Sequence, residues 1–393
     1  MSSLLCPYCF TRFPSTAIAF RCMNPNIAKC TLESDDALAS YEGKKTSDKL
    51  QRVFSPQKRL LPLLLTKAKC TCGFETSKRV CPSCHNELPS EFGAISSYTI
   101  ALIGAKYTGK SNYIGVLIRR LKNDVGRDFT AALNALDDRT THRYRDDFER
   151  LLFREGVVVP TTDSSQSNIK VRYPLNYRFS IDRKNIRGNV KAISLSLFDT
   201  AGEDLDSQDI TSVQARYLAN ADGIIFLLDP LQFSVVREKV GASLNLPQQA
   251  TDPADIIDRA IRILRQSGNI SSNKKIPTPV AVAFSKIDAV RALVELNSPI
   301  HRTPNHQGYY DDTDGTQLHE SIRSYLSEWG AGSLDNTLRV QFERYRYFGL
   351  SSLGSAPSAD DRLTMGVVPF RVEDPFLWLL SDLKFIGTRK ETT

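Results

Sequence analysis

Gly104-Ala105-Lys106-Tyr107-Thr108-Gly109-Lys110-Ser111 is the stretch whose reading decides the fold. It satisfies G-x-x-x-x-G-K-[ST] at every fixed position. In that pattern a glycine-rich turn aims backbone N–H groups at phosphate oxygens, the lysine meets the phosphate tail and the hydroxyl meets Mg2+. The flanks agree. Tyr98 to Ile103 is a short apolar run of the kind a buried strand carries, and Ile114, Leu117, Ile118, Leu121 and Val125 then fall on one helix face. Strand, glycine loop and helix in that order set the positive end of a helix behind the phosphate site.

Outward from this loop, strand and helix patterns alternate. Phe129 to Phe153 reads as a helix with Tyr144, Phe148, Leu151 and Leu152 on one face, stopped by Gly156. A polar loop over Pro160–Ser167 leads to two strand candidates, Ile169–Ile181 and Val190–Phe198, joined by a charged turn at 185–189. Gly223–Leu228 and Val280–Phe284 are unbroken apolar runs, as expected of strands buried on both faces. Asp252 followed by Pro253 marks a helix start, with Ile256, Ile257, Ala260, Ile261 and Leu264 facing inward. Asn297–Gly315 reads as a surface loop, Gln317–Trp329 as a helix and Leu338–Leu350 as the last strand. The alternation predicts an α/β domain over residues 96–393, a three-layer arrangement in which helices wrap a mostly parallel sheet. A separate cysteine-bearing module occupies residues 1–95.

All eight cysteines lie in that first module, as Cys6/Cys9, Cys22/Cys30, Cys70/Cys72 and Cys81/Cys84. MSSLLCPYCF has neither the basic start nor the apolar core of an export signal, so the pairs read as metal ligands rather than disulfides. Cys6-Pro-Tyr-Cys9 and Cys81-Pro-Ser-Cys84 have the form of zinc knuckles, and eight thiolates suffice for two structural Zn2+ ions. Two partitions compete: sequential sites (Cys6, Cys9, Cys22, Cys30, then Cys70, Cys72, Cys81, Cys84) or interleaved ones. His85 stands beside a complete set of four and reads as a surface residue. The charged segment between Cys30 and Cys70 reads as an exposed excursion.

Composition sets the outer bounds. The chain has 393 residues, 41% hydrophobic and 24% charged, ordinary for a globular protein. No apolar run approaches the roughly 18–20 residues of a membrane helix, and the expected compartment is the cytoplasm. Two zinc ions on eight thiolates would bring the formal charge of +7 down to about +3. Residues 1–95 carry 13 Lys/Arg against 8 Asp/Glu. A nucleic-acid surface is compatible with that balance but not demanded by it.

Three later segments narrow the chemistry. Asp199-Thr200-Ala201-Gly202-Glu203 follows a strand, where Asp199 can hold the Mg2+ shell and the Gly202 N–H can sense a γ-phosphate. Ser285-Lys286-Ile287-Asp288 follows the next, where a carboxylate can accept from the two N–H donors of a guanine edge, a pair that adenine lacks. Ser351-Ser352-Leu353-Gly354 follows the last, where a backbone N–H can meet the base oxygen. Each motif alone occurs freely by chance; four in order at strand ends do not.

Residues 96 to about 355 therefore resemble the Ras-like, translation-factor-related P-loop GTPases. The resemblance implies a GTP/GDP site built from Gly104, Lys106, Thr108, Gly109, Lys110, Ser111 and Asn112 with Asp199, Gly202, Ser285, Lys286, Asp288, Ser352 and Leu353. It implies Lys110 on the β- and γ-phosphates, Ser111 and Asp199 on Mg2+, and Lys286 and Asp288 at the base. The Mg2+-sensing switch threonine would be Thr161 or Thr162. Glu203 stands where many members carry a water-orienting glutamine, and a carboxylate there implies slow intrinsic hydrolysis. Ser285 replaces the usual Asn or Thr. No arginine finger is assigned; Arg139, Arg143, Arg145 and Arg154 read as a solvated helix face.

Over its whole length the chain resembles the bacterial zinc-ribbon double-GTPase proteins of NTPase-based conflict and defence systems. The resemblance rests on CPYC, Phe20-Arg-Cys22, Cys81 to His85, and the tail Arg371-Val-Glu-Asp-Pro-Phe-Leu-Trp-Leu-Leu380. It implies a GTP-binding switch acting with co-encoded protein partners. A P-loop ATPase, or a zinc-ribbon nucleic-acid-binding protein with a regulatory nucleotide site, are the competing readings.

Overall fold

The computed structural model describes residues 3–44, 46–56, 64–105, 107–160, 173–182, 190–198, 212–241, 252–268 and 270–390. Its centre is a seven-stranded sheet. In chain order the strands are β1 (Ser96–Ile103), β2 (Ala131–Ala135), β3 (Leu175–Asp182), β4 (Val190–Phe198), β5 (Gly223–Leu228), β6 (Val280–Phe284) and β7 (Tyr345–Gly349). They lie side by side as β2-β3-β4-β1-β5-β6-β7. β1 runs parallel to both β4 and β5, while β3 is antiparallel to β4 and to β2. β5 and β6 are buried at every residue, as their unbroken apolar composition requires.

The helices that matter here are α1 (Lys110–Lys122), α2 (Asp138–Arg143, continued as a π-helix over Tyr144–Glu155), α3 (Ser212–Ala219), α4 (Pro253–Ser267), α5 (Asp312–Glu328) and α6 (Asp374–Asp382). From β1 the chain moves one way along the sheet to β3 and β4, and from β4 it returns past β1 to β5. Right-handed crossovers in opposite directions put α1 and α3 on opposite faces. α6 joins α1, with Arg120 on Glu373 at 2.5 Å and Leu379 against Gly223 of β5.

Several expectations needed correction. Phe129–Phe153 is not one helix: β2 intervenes. Asp137 is extended and accepts from the Thr140 N–H at 2.6 Å, so α2 starts only after it. Ala131-Ala-Leu-Asn-Ala135 has helix-forming residues, but pairing with β3 overrides that preference. Leu338–Leu350 is not one strand, because Leu334 and Leu338 are buried on a helix over Gly332–Gln341 and the strand begins at Tyr345. The loop over 297–315 contains a short strand, Tyr309–Asp311, whose last residue caps α5. The segment between Cys30 and Cys70 is no bare excursion either. It holds a helix over Asp36–Glu42 whose buried Tyr41 donates to Tyr8 O at 3.2 Å and packs edge-on to Tyr173. The strand begun at Ile169 is seen from Leu175 onward, and 169–172 and 185–189 lie outside the described residues.

Candidate functional site: a phosphate loop beside a base-reading segment

β1 ends at Ile103 and the chain turns through Gly104 into the loop. A Cβ on Gly104 would sit 2.5 Å from Leu227 O and 2.8 Å from Thr108 Oγ1, so only glycine fits against β5 here. Gly109 has φ +83°, the left-handed conformation from which α1 starts. Thr108 is buried, and its hydroxyl donates to Ala105 O at 2.9 Å, which closes the turn. Lys110 is buried as well, with Nζ donating to Gly104 O and Ala105 O at 2.8 Å each. Its charge is thus folded back onto the start of the loop. Ser111 is buried in the first turn of α1. Asn112 points elsewhere, its Oδ1 accepting from Val159 N at 2.9 Å.

The second wall comes from the end of β6. Ser285 is buried and donates through Oγ to Leu228 O at 3.1 Å, so it ties β6 to β5 rather than facing solvent. Lys286 is left-handed (φ 53°), and Nζ donates to Tyr107 O at 3.0 Å and contacts Asp229 Oδ2 at 2.5 Å. It ties the segment after β6 to the loop after β1. Asp229 escaped the sequence reading; it is fully buried at the end of β5, and its other oxygen accepts from Leu231 N at 2.9 Å. An acid closing the run Gly-Ile-Ile-Phe-Leu-Leu was the available signal.

Asp288 lies two residues on, and its Oδ1 is buried with no hydrogen-bond partner among the described residues. A buried carboxylate oxygen left unpaired is costly and asks for a donor. A guanine edge carries two N–H groups side by side that can meet such an acceptor; an adenine edge has no such adjacent pair. The third wall is the turn after β7. Leu350 O accepts from Ile287 N at 3.0 Å, and Ser351 Oγ accepts from Gly354 N at 2.9 Å. Ser352 and Leu353 are half-buried beside it. An isolated bridge clamps this turn, with Ser351 and Phe370 exchanging both backbone bonds and the Arg291 guanidinium 3.9 Å above the Phe370 ring. The structure brings Gly104, Thr108, Gly109, Lys110, Ser111, Lys286, Asp288, Ser352 and Leu353 onto one end of the sheet. Lys106, Thr161, Thr162, Asp199, Gly202 and Glu203 lie outside the described residues.

The cysteines resolve into two interleaved groups, Cys6, Cys9, Cys81, Cys84 and Cys22, Cys30, Cys70, Cys72. The Sγ–Sγ separations are 3.8 Å for Cys6–Cys84, 3.8 Å for Cys9–Cys81 and 3.6 Å for Cys22–Cys72. A tetrahedron with Zn–S near 2.3 Å has edges of about 3.8 Å. Both groups therefore fit Zn2+, and backbone N–H groups of Tyr8 and Ser83 already point at Cys6 and Cys81 sulfurs. His85 is not among the ligands; its Nδ1 sits 2.7 Å from Asp35 Oδ1. Burial alone would raise the Asp35 carboxyl's pKa, but the Arg21 guanidinium at 2.6 Å, the Leu38 N–H and His85 outweigh it and lower the pKa below the ordinary value.

No family model matches the chain. Among solved structures it is similar to the signal recognition particle receptor SRb-GTP/SRX complex from Chaetomium thermophilum, with 13% identity and a TM-score of 0.30 over 67% of this chain and 95% of that one. It is also similar to the S. cerevisiae Ski7 GTPase-like domain bound to GTP, with 11% identity and a TM-score of 0.33 over 76% of this chain and 52% of that one. Among curated proteins, 322 residues align at 30% identity with one from Mycolicibacterium smegmatis, covering 77% of this chain and 79% of the relative. On that likeness the chain belongs to the family of the M. smegmatis protein described as "Putative ESX-1 scaffolding and assembly protein SaeC".

Proposed function

We propose that this chain is a guanine-nucleotide switch that hydrolyses GTP slowly and signals its nucleotide state to a protein partner. The observation that carries the reading is the pair at the end of β6: a buried Asp288 oxygen with no partner among the described residues, two residues from a Lys286 bonded to the phosphate loop. Lys110 would leave the carbonyls of Gly104 and Ala105 for the β- and γ-phosphates, and the loop N–H groups and the α1 terminus would hold the remaining oxygens. Mg2+, held by Ser111 and Asp199, would neutralise the charge that builds on the phosphates. Thr161 or Thr162 would sense that ion, and Gly202 the γ-phosphate. Glu203, acidic where water must be oriented, favours a slow intrinsic rate that a partner accelerates.

The relative's name speaks of scaffolding and assembly, and the conflict-system proteins that the sequence resembles act with co-encoded partners. Both favour a protein partner over nucleic acid. Calorimetric titration with GTP and ATP side by side, combined with phosphate release, tests the proposal. The expected result is GTP binding with Mg2+-dependent turnover, and ATP binding that is weaker by two orders of magnitude or more, about 3 kcal/mol. Equal affinity for the two would remove the guanine assignment.

A further inference from the structure

Phe10 carries the cysteine module's apolar packing into the main core. It directly follows Cys9, and among described residues before Ser96 it alone is a buried member of the main core. Its backbone is left-handed, φ 54°, in the same place in its knuckle as His85 in the other, also φ 54°. Glycine occupies that conformation without strain, and a bulky side chain does so at a cost. Both knuckles nonetheless carry a ring there that makes a specific contact. The Phe10 ring lies 4.9 Å from that of Tyr217 and 6.0 Å from that of Phe198. Phe198 and Tyr217 meet edge-on at 5.3 Å.

Tyr217, on α3, uses its hydroxyl where two strands part. The last paired residues of β1 and β4 are Ala101 and Phe198. At that point Tyr217 Oη accepts from Leu102 N at 3.3 Å and Phe198 N at 3.2 Å, and donates to Ile100 O at 2.6 Å. One oxygen therefore sets the spacing of the two strand ends that continue into Gly104 and Asp199. The knuckle also grips α3 directly. Arg216 Nε donates to Cys9 O at 2.9 Å, Asn220 Nδ2 to Phe10 O at 3.3 Å, and Arg12 Nε to Asn220 Oδ1 at 2.7 Å. The second group, Cys22, Cys30, Cys70 and Cys72, packs with Phe54 and Phe74 and stands apart from that core.

We infer that the metal centre at Cys6, Cys9, Cys81 and Cys84 is a foundation of the nucleotide site. It holds Phe10, Phe10 seats Tyr217, and the Tyr217 hydroxyl fixes the ends of β1 and β4 beneath the phosphate loop. Phe10 and Tyr217 are positioning residues, and the second metal centre has no part in this. The inference rests on the GTP reading only for its affinity readout. Amide exchange of the nucleotide-free full chain, followed at Leu102 and Phe198, tests the coupling independently of that reading.

Tyr217→Phe, which removes one oxygen, should speed exchange at both amides by about tenfold, the worth of one buried hydrogen bond. It should also weaken GTP binding several-fold with little change in melting midpoint. Cys9→Ser should speed the same two amides, whereas Cys72→Ser, which disturbs an equivalent ligand in the other centre, should leave them as in the parent. Protection unchanged at Leu102 and Phe198 in Tyr217→Phe, or equal effects of Cys9→Ser and Cys72→Ser, overturns the inference. Should Cys9→Ser fail to fold, Tyr217→Phe decides. Faster exchange in these variants of a chain that binds no GTP would sink the GTP reading and leave the coupling standing.

Discussion

Replacing Asp288 with asparagine should move base preference from guanine toward xanthine. In the free protein Asp288 Oδ1 is buried and unpaired, so no protein contact at that oxygen is lost when an amide takes its place. The melting midpoint should accordingly stay within about 1–2 °C of the parent, the shift expected from about 1 kcal/mol in a chain of this size. Nucleotide binding behaves differently. The carboxylate would accept two N–H bonds from guanine, each worth about 1.5–3 kcal/mol with a charged acceptor. Asparagine keeps one acceptor and turns an N–H toward the guanine amino group, donor against donor. The loss comes to about 3–4 kcal/mol, or roughly a 200- to 900-fold fall in GTP affinity. Xanthine carries a carbonyl where guanine has that amino group, so the same N–H finds an acceptor and XTP affinity rises. The assay is displacement of a fluorescent guanine nucleotide from the parent, and of its xanthine counterpart from the variant, by GTP, XTP and ATP. A variant that still prefers GTP over XTP by the parent's ratio would refute the claim that this oxygen reads the base.

Lys110→Ala should abolish retention of GTP through purification without loss of folding, checked by nucleotide chromatography of the denatured protein. Gly104→Ala should do the same for a steric reason, since its Cβ would lie 2.5 Å from Leu227 O; tight GTP binding by that variant would show the loop can relax. Elemental analysis should find two zinc ions per chain, and one in Cys72→Ser. Asp374 supplies a pH test: burial opposes its charge, but Arg371 at 2.7 Å and His306 at 3.1 Å outweigh it and lower its pKa. A folded pKa below the unfolded one means that this stabilisation is complete above about pH 4 and is lost as pH falls through the folded value. Asp374→Asn should therefore cost about 3 kcal/mol at pH 7, and in thermal melts its gap to the parent should close on acidification.

Much of the site was legible because its parts are short and local. The loop 104–111, the acid and lysine after Phe284, and the turn after Leu350 each sit at a strand end that an apolar run announces. What was misread was also local in appearance. Ala131–Ala135 looks helical in isolation and becomes a strand only because β3 offers an edge. Leu338 reads as a strand residue because nothing nearby shows that it faces inward with Leu334 at helical spacing. Asp229 drew no reading at all, because its partner Lys286 lies 57 residues later.

By itself the amino-acid order determined the glycine-rich loop pattern, the order of the candidate nucleotide motifs and the pairing of cysteines suited to metal, since these follow from residue type and from spacings of a few positions. Only the tertiary structure decided which cysteines group together, which acid anchors Lys286, and that Phe10 lies against Tyr217. Each of those pairings joins residues far apart along the chain. Their contact is set by strand order and packing register, which no local pattern encodes.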